Sequence, residues 1–215
     1  MQFIDARLAV NCVLVALLAA GCSAPMPVPP AAHPAAAPPP PATTAPAQED
    51  TGKIVKAQFE QAIAFMKAGQ DKDAAALFTN IAKLDPKLAS PHTNLGILFY
   101  RENNLKEAEE ALKESLRLDG KDYVAANYMG MLYRMQGRFS DAEAAYEQAL
   151  AANPDYGYAH LNLAILYDIY LDNLPKALDH YQQYQRISGD SDQQFTGWLA
   201  DLRQRMKSTG EGSKP

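Results

Sequence analysis

The side chains able to do chemistry are few. There are two thiols, Cys12 and Cys22, and four imidazoles, His33, His92, His160 and His180. A thiol nucleophile needs a base beside it, and a structural metal needs several ligands at short spacing. The sequence contains no His-Glu-x-x-His and no glycine-rich phosphate loop, and beyond Cys22 it has no thiol for a disulfide or a thiolate metal site. His92 and His160 stand 68 residues apart at equivalent places of a repeat described below, too distant to share one ion. They read as packing residues with one polar edge. Carboxylates gather in runs such as Lys106-Glu107-x-Glu109-Glu110, which read as the solvated face of a helix. An enzyme is therefore the remote reading, with no catalytic residue, metal or cofactor expected.

Cys22 is different, because its chemistry belongs to its surroundings. Residues 8–20 are mostly apolar and follow a short start carrying Arg7. The stretch is short for a membrane span, which needs roughly 20 apolar residues, but has the length of a signal-peptide core. Leu18-Ala19-Ala20-Gly21-Cys22 then resembles the lipobox of bacterial lipoproteins. Small side chains let an extended chain enter a peptidase, and a thiol can be alkylated by lipid. The resemblance implies a signal peptide over 1–21, a covalent lipid on Cys22 as the first mature residue, and, since Ser23 and not Asp follows, the outer membrane. The other reading is an ordinary signal peptide cut nearby, with Cys22 left as a spare thiol.

After the cysteine, residues 23–50 hold ten of the fifteen prolines, and most of the rest is Ala. Proline lacks the N–H a helix needs, and the segment has too little apolar bulk for a core. Residues 22–50 are expected to form a disordered tether with a reach of at most about 3 Å per residue, roughly 85 Å in all. Pro38 to Pro41 could alternatively be a motif for a proline-binding module.

A repeat must position whatever follows. Asn94-Leu95-Gly96, Tyr128-Met129-Gly130 and Asn162-Leu163-Ala164 stand 34 residues apart in succession. The register extends to small residues at Ala62, Gly96, Gly130 and Ala164, and aromatics at Phe65, Phe99, Tyr133 and Tyr167. It includes alanines at 74, 108, 142 and 177, and large residues at Phe78, Leu112, Tyr146 and Tyr181. Turns fall at Pro86, Gly120, Pro154 and Gly189, and the fourth unit needs one extra residue in its loop near Leu171 to Leu174. Two helices that cross closely need a small residue at the crossing and bulk beside it. Capping boxes are expected at Asn104-x-x-Glu107, Ser140-x-x-Glu143 and Ser191-x-x-Gln194. Phe195, Trp198, Leu199, Leu202 and Met206 then fall on one helical face, as in a helix closing the stack.

A 34-residue helix pair resembles the tetratricopeptide repeat. The departures are the missing fourth-position Trp, where Gln58, His92, Ala126 and His160 stand, and the bulk of Tyr184 at a usually small place. The resemblance implies an all-α, right-handed superhelical solenoid over 51–207. It has about four helix pairs (about 55–88, 89–122, 123–156 and 157–191) and a capping helix over 192–207, followed by a disordered tail over 208–215. In such arrays the first helices line a concave groove. The positions implied to face it include Asn94, Tyr100, Asn127, Tyr128, Met131, Tyr158 and Asn162, with Phe59, Ile63, Met66, Met135 and Ile169. Tyr100, Tyr128 and Tyr158 are expected to be exposed anchors and the amides to bond a peptide backbone. Ile97, Leu161 and Ile165 could equally be buried between units. A groove subtype that grips terminal carboxylates is not matched, since Phe59, Ile63, Val124 and Tyr128 occupy its basic and amide places.

The net charge of −5 and the lack of a Lys/Arg run argue against nucleic acid. The expected function is an outer-membrane-anchored, periplasm-facing adaptor that binds a cell-envelope protein, without a small-molecule substrate. It would assist a trans-envelope machine such as a pilus/secretin or energy-coupling complex; the alternative is recruitment of peptidoglycan enzymes.

Overall fold

A computed structural model of the chain describes residues 46–189 and 193–209. The signal peptide, Cys22, most of the proposed tether, the Ser191-x-x-Gln194 cap and residues 210–215 lie outside the described residues. Among the described residues there are nine helices and no strand. Helices α1 (Pro46–Lys67) and α2 (Asp71–Leu84) form the first pair, and α3 (Ser90–Arg101) and α4 (Leu105–Leu118) the second. The third pair is α5 (Tyr123–Met135) and α6 (Phe139–Ala152). The fourth is α7 (Gly157–Ile165), prolonged by a π-helical turn over Leu166–Tyr170, with α8 (Leu174–Ser188); α9 (Gln193–Thr209) closes the row. The fold is an all-α tetratricopeptide solenoid.

The small and large residues of the register meet. A Cβ built on Gly130 would lie 2.5 Å from the ring of Tyr146, and one on Gly96 would lie 2.6 Å from Leu112. Ala62, Ala164, Phe78 and Leu112 are likewise buried in the core. Each pair turns through a residue of positive φ, at Gly69, Asn103, Gly137 and Asp172. The backbone N–H that follows returns to the first helix, as from Gln70 to the Phe65 carbonyl at 2.9 Å and from Asn104 to that of Phe99 at 2.8 Å. Pairs end where Asp85, Asp119 and Asn153 turn their side chains onto the N–H two residues on.

Several local expectations need correction. Helix α1 starts at Pro46, so residues 46–50 are helix and not tether. Proline is well placed at a helix start, where its missing N–H would have no partner, and Asp50 suits the positive end of the helix dipole. At the other end α9 runs to Thr209, so residues 208–209 are helical and not tail. The extra residue of unit four does not lengthen the loop. It is absorbed inside the first helix as the π turn, with the Leu171 N–H bonding the Leu166 carbonyl at 3.1 Å and the Asn173 N–H reaching Tyr167 at 2.8 Å. Two of the three capping boxes do not form: Asn104 makes no cap bond, and Ser140 lies inside α6. Among the described residues the side chains that cap are Asp122, accepting from the N–H groups of Val124 and Ala125, and Asn173, accepting from that of Lys176. On α9, Phe195, Leu199, Leu202 and Met206 are buried, but Trp198 is 57% exposed. Tyr184, too large for the usual pattern, packs on Phe195 with ring centroids 5.3 Å apart, and Gly157 leaves room for it.

Candidate protein-binding face

First helices α3, α5 and α7 touch in succession, while second helices are kept apart by the first helix of the next unit. The stack therefore bends with first helices on its inner side, and that side presents the residues the register points to. Their depths differ. Tyr128 is only 6% exposed and Met131 is also buried, so both belong to the floor, and the expected exposure of Tyr128 is corrected. The reason is the next helix over: Tyr100 of α3 meets Tyr128 of α5 edge to face, with centroids 5.8 Å apart, and covers it. Burial pushes the hydroxyls of Tyr100 and Tyr128 above the ordinary phenol range. Tyr100 and Tyr158 are half-buried, Ile97 is buried, and Leu161 and Ile165 are half-buried.

The amides are spent inside the protein. Asn162 Nδ2 donates to Asn127 Oδ1 at 2.9 Å, tying α7 to α5, and Asn127 Nδ2 points to Met131 Sδ at 3.7 Å. Asn127 and Asn162 are both buried, at 2% and 5% exposure. The expectation that they would bond a partner's backbone is therefore corrected. Asn94 is half-buried and donates to the Ser90 carbonyl of its own helix at 2.8 Å. What remains open is apolar: Ile169 is 50% exposed, and Met135, Tyr170 and Leu171 are exposed with it. The π turn sets Ile169, Tyr170 and Leu171 at the end of the first helix of unit four, where the Tyr170 ring packs on Phe139 at 4.8 Å.

Charged groups on this face went unnoticed in the sequence. Position twelve of successive units carries Tyr100, Arg134 and Asp168. Arg205 of α9 holds Asp168 at 2.7 Å, and Arg101 holds Asp71 at 3.5 Å. The signal was available, because Arg134 and Asp168 obey the 34-residue register. A second missed feature joins α7 and α8: His160 Nδ1 and His180 Nδ1 are 2.9 Å apart, while His160 Nε2 donates to the Pro154 carbonyl at 3.1 Å. That donation puts the His160 proton on Nε2, so in the neutral pair His180 donates through Nδ1. No spacing rule announced this contact. The carboxylate run on α4 forms surface ion pairs, Glu109 with Lys113 at 2.5 Å and Glu110 with Lys106 at 4.0 Å.

The Tetratricopeptide repeat family profile matches residues 59–123 and 129–192. None of the curated proteins matches the sequence. Among solved structures, the chain is similar to PilF of Pseudomonas aeruginosa, with 17% identity over 77% of this chain and 79% of that one, and a TM-score of 0.66. It is similar to a thermophilic tetratricopeptide protein of Thermus thermophilus, with 22% identity over 73% and 84% of the two chains and a TM-score of 0.59. MamA of Desulfovibrio magneticus gives 16% identity over 74% and 89%, with a TM-score of 0.60. These likenesses show the helix-pair fold alone, and the profile match over most of the chain shows that it belongs to the tetratricopeptide repeat family, a protein–protein interaction scaffold.

Proposed function

We propose that the chain is an adaptor held at the outer membrane by lipid on Cys22 and facing the periplasm. Its inner face docks a segment of an envelope protein and so assists a trans-envelope machine, a pilus/secretin or energy-coupling complex. The observation that carries the docking surface is the apolar rim of Met135, Ile169, Tyr170 and Leu171, beside the half-buried Tyr100 and Tyr158. A cluster of large apolar side chains in water is costly to solubility and marks an interaction site. Support for the anchor is the lipobox resemblance at Leu18 to Cys22. The test is affinity capture of the full chain from detergent-solubilised envelope, comparing wild type with Met135→Ser/Ile169→Ser and with Cys22→Ser. The rim variant should stay membrane-bound and lose the partner, and Cys22→Ser should leave the membrane fraction. Retention of the partner by the rim variant contradicts the docking surface, and tight membrane retention of Cys22→Ser contradicts the anchor.

A further inference from the structure

Among the described residues, Arg134 is a charged side chain of the inner face that is buried without an ion pair. It stands at the twelfth position of unit three, between Tyr100 and Asp168 in the same register. It is 8% exposed, and its Nε is buried with no hydrogen-bond partner. Its neighbours of like charge are both paired, Arg101 with Asp71 and Arg205 with Asp168, whereas Arg134 forms no ion pair among the described residues. The hydroxyl of Tyr146 is also buried without a partner. A mostly buried guanidinium without a counter-charge is costly to a fold, and an arriving carboxylate offsets that cost.

We infer that Arg134 receives the side-chain carboxylate of a Glu or Asp within the docked segment of the partner. A planar guanidinium offers N–H groups in a fork that matches a carboxylate. A side chain fits better than a chain end. Tyr100 and the exposed Ile169 stand in the units on either side of Arg134, so a segment that covers both passes over Arg134 with its interior and not with its end. The apolar rim would hold the rest of the segment, so the inference rests on the docking surface proposed above.

The test uses the full chain, immobilised in mild detergent, and three pools of acetylated nonapeptides with varied apolar and aromatic positions. One pool has a central Glu and an amidated end, one a central Gln and an amidated end, and one a central Gln and a free terminal carboxylate. The Glu pool should be retained about tenfold or more over the amidated Gln pool. Arg134→Met should erase that difference and raise the melting temperature of the unliganded protein, because it removes an unpaired buried charge. Tyr100→Ala should weaken the Glu and Gln pools alike. Equal retention of the Glu and Gln pools, both sensitive to Tyr100→Ala, overturns the role of Arg134 and leaves the docking surface standing. Preference for the free terminal carboxylate overturns the choice of a side chain. A lower melting temperature for Arg134→Met shows a structural charge and overturns the inference. Failure of every pool to bind overturns the docking surface itself.

Discussion

Tyr146 lies against the α-carbon of Gly130, so close that a methyl group there would sit 2.5 Å from two ring carbons. Tyr146 is fully buried and cannot swing away without opening the core. Gly130→Ala should therefore push α5 from α6 and cost about 1 kcal/mol, and Gly130→Leu about 3 kcal/mol or more, as overpacking does. Gly96→Ala meets the branched end of Leu112, which can change rotamer, and should cost less than Gly130→Ala. Chemical denaturation of the three variants checks the order; an unchanged midpoint for Gly130→Leu would put the helix crossing elsewhere.

The histidine pair makes stability depend on mild acid. Burial, and then the neighbouring His160, hold His180 below the ordinary imidazole range, and burial does the same to His92. Facing His180 are His160 on α7, the stacked ring of Tyr167, Lys176 and Asp179 on α8, and Glu143 on α6. The unfolded chain thus takes up these protons first. The contribution is complete above about pH 6.5 and is lost as pH falls through that value toward the lower folded one. Denaturation midpoints should fall between pH 7.5 and pH 5.5, and His180→Phe should flatten that slope. An equal slope in the variant would place the pH dependence outside the pair.

The Asn127–Asn162 bond predicts a coupled pair. Asn162→Leu leaves the buried Asn127 carbonyl oxygen without its donor and should cost about 1–3 kcal/mol. Adding Asn127→Leu removes the stranded group and should restore part of the loss. A double-mutant cycle measures this, and strict additivity would mean the two amides do not depend on each other.

Tyr100 and Tyr128 should now behave differently. Tyr100 is half-buried at the surface of the inner face, and Tyr128 lies beneath it. Tyr100→Ala should weaken a partner bound there by about 2 kcal/mol, roughly thirtyfold, with little change in melting temperature. Tyr128→Ala should lower the melting temperature first, as emptying a core site does. Titration of the captured partner and thermal melts separate the two effects.

The register was legible because a close helix crossing demands a small residue and a bulky one at a fixed offset, as at Gly130 and Tyr146. Periodicity also identified which turn of each first helix faces inward, but not how deep each side chain lies. Depth depends on the neighbouring unit, which is why Tyr128 read like Tyr100 until α3 was seen to cover it. The link from Asn127 to Asn162, 35 residues away, turned two supposed ligand groups into structure. The register slip in unit four was visible as a count, but not that a π turn would absorb it and carry Ile169 to Leu171 into solvent. Arg134 stood in plain register, and only its burial without a partner made it noteworthy.

The most direct test of the account is site-specific photocrosslinking in cells, with a benzoylphenylalanine replacing Ile169 on the inner face or Glu107 on the outer face of α4. The account predicts a covalent adduct with one envelope protein from position 169, lost in the Tyr100→Ala background, and none from position 107. An adduct from position 107 with none from 169 would contradict it and move the partner to the acidic outer face.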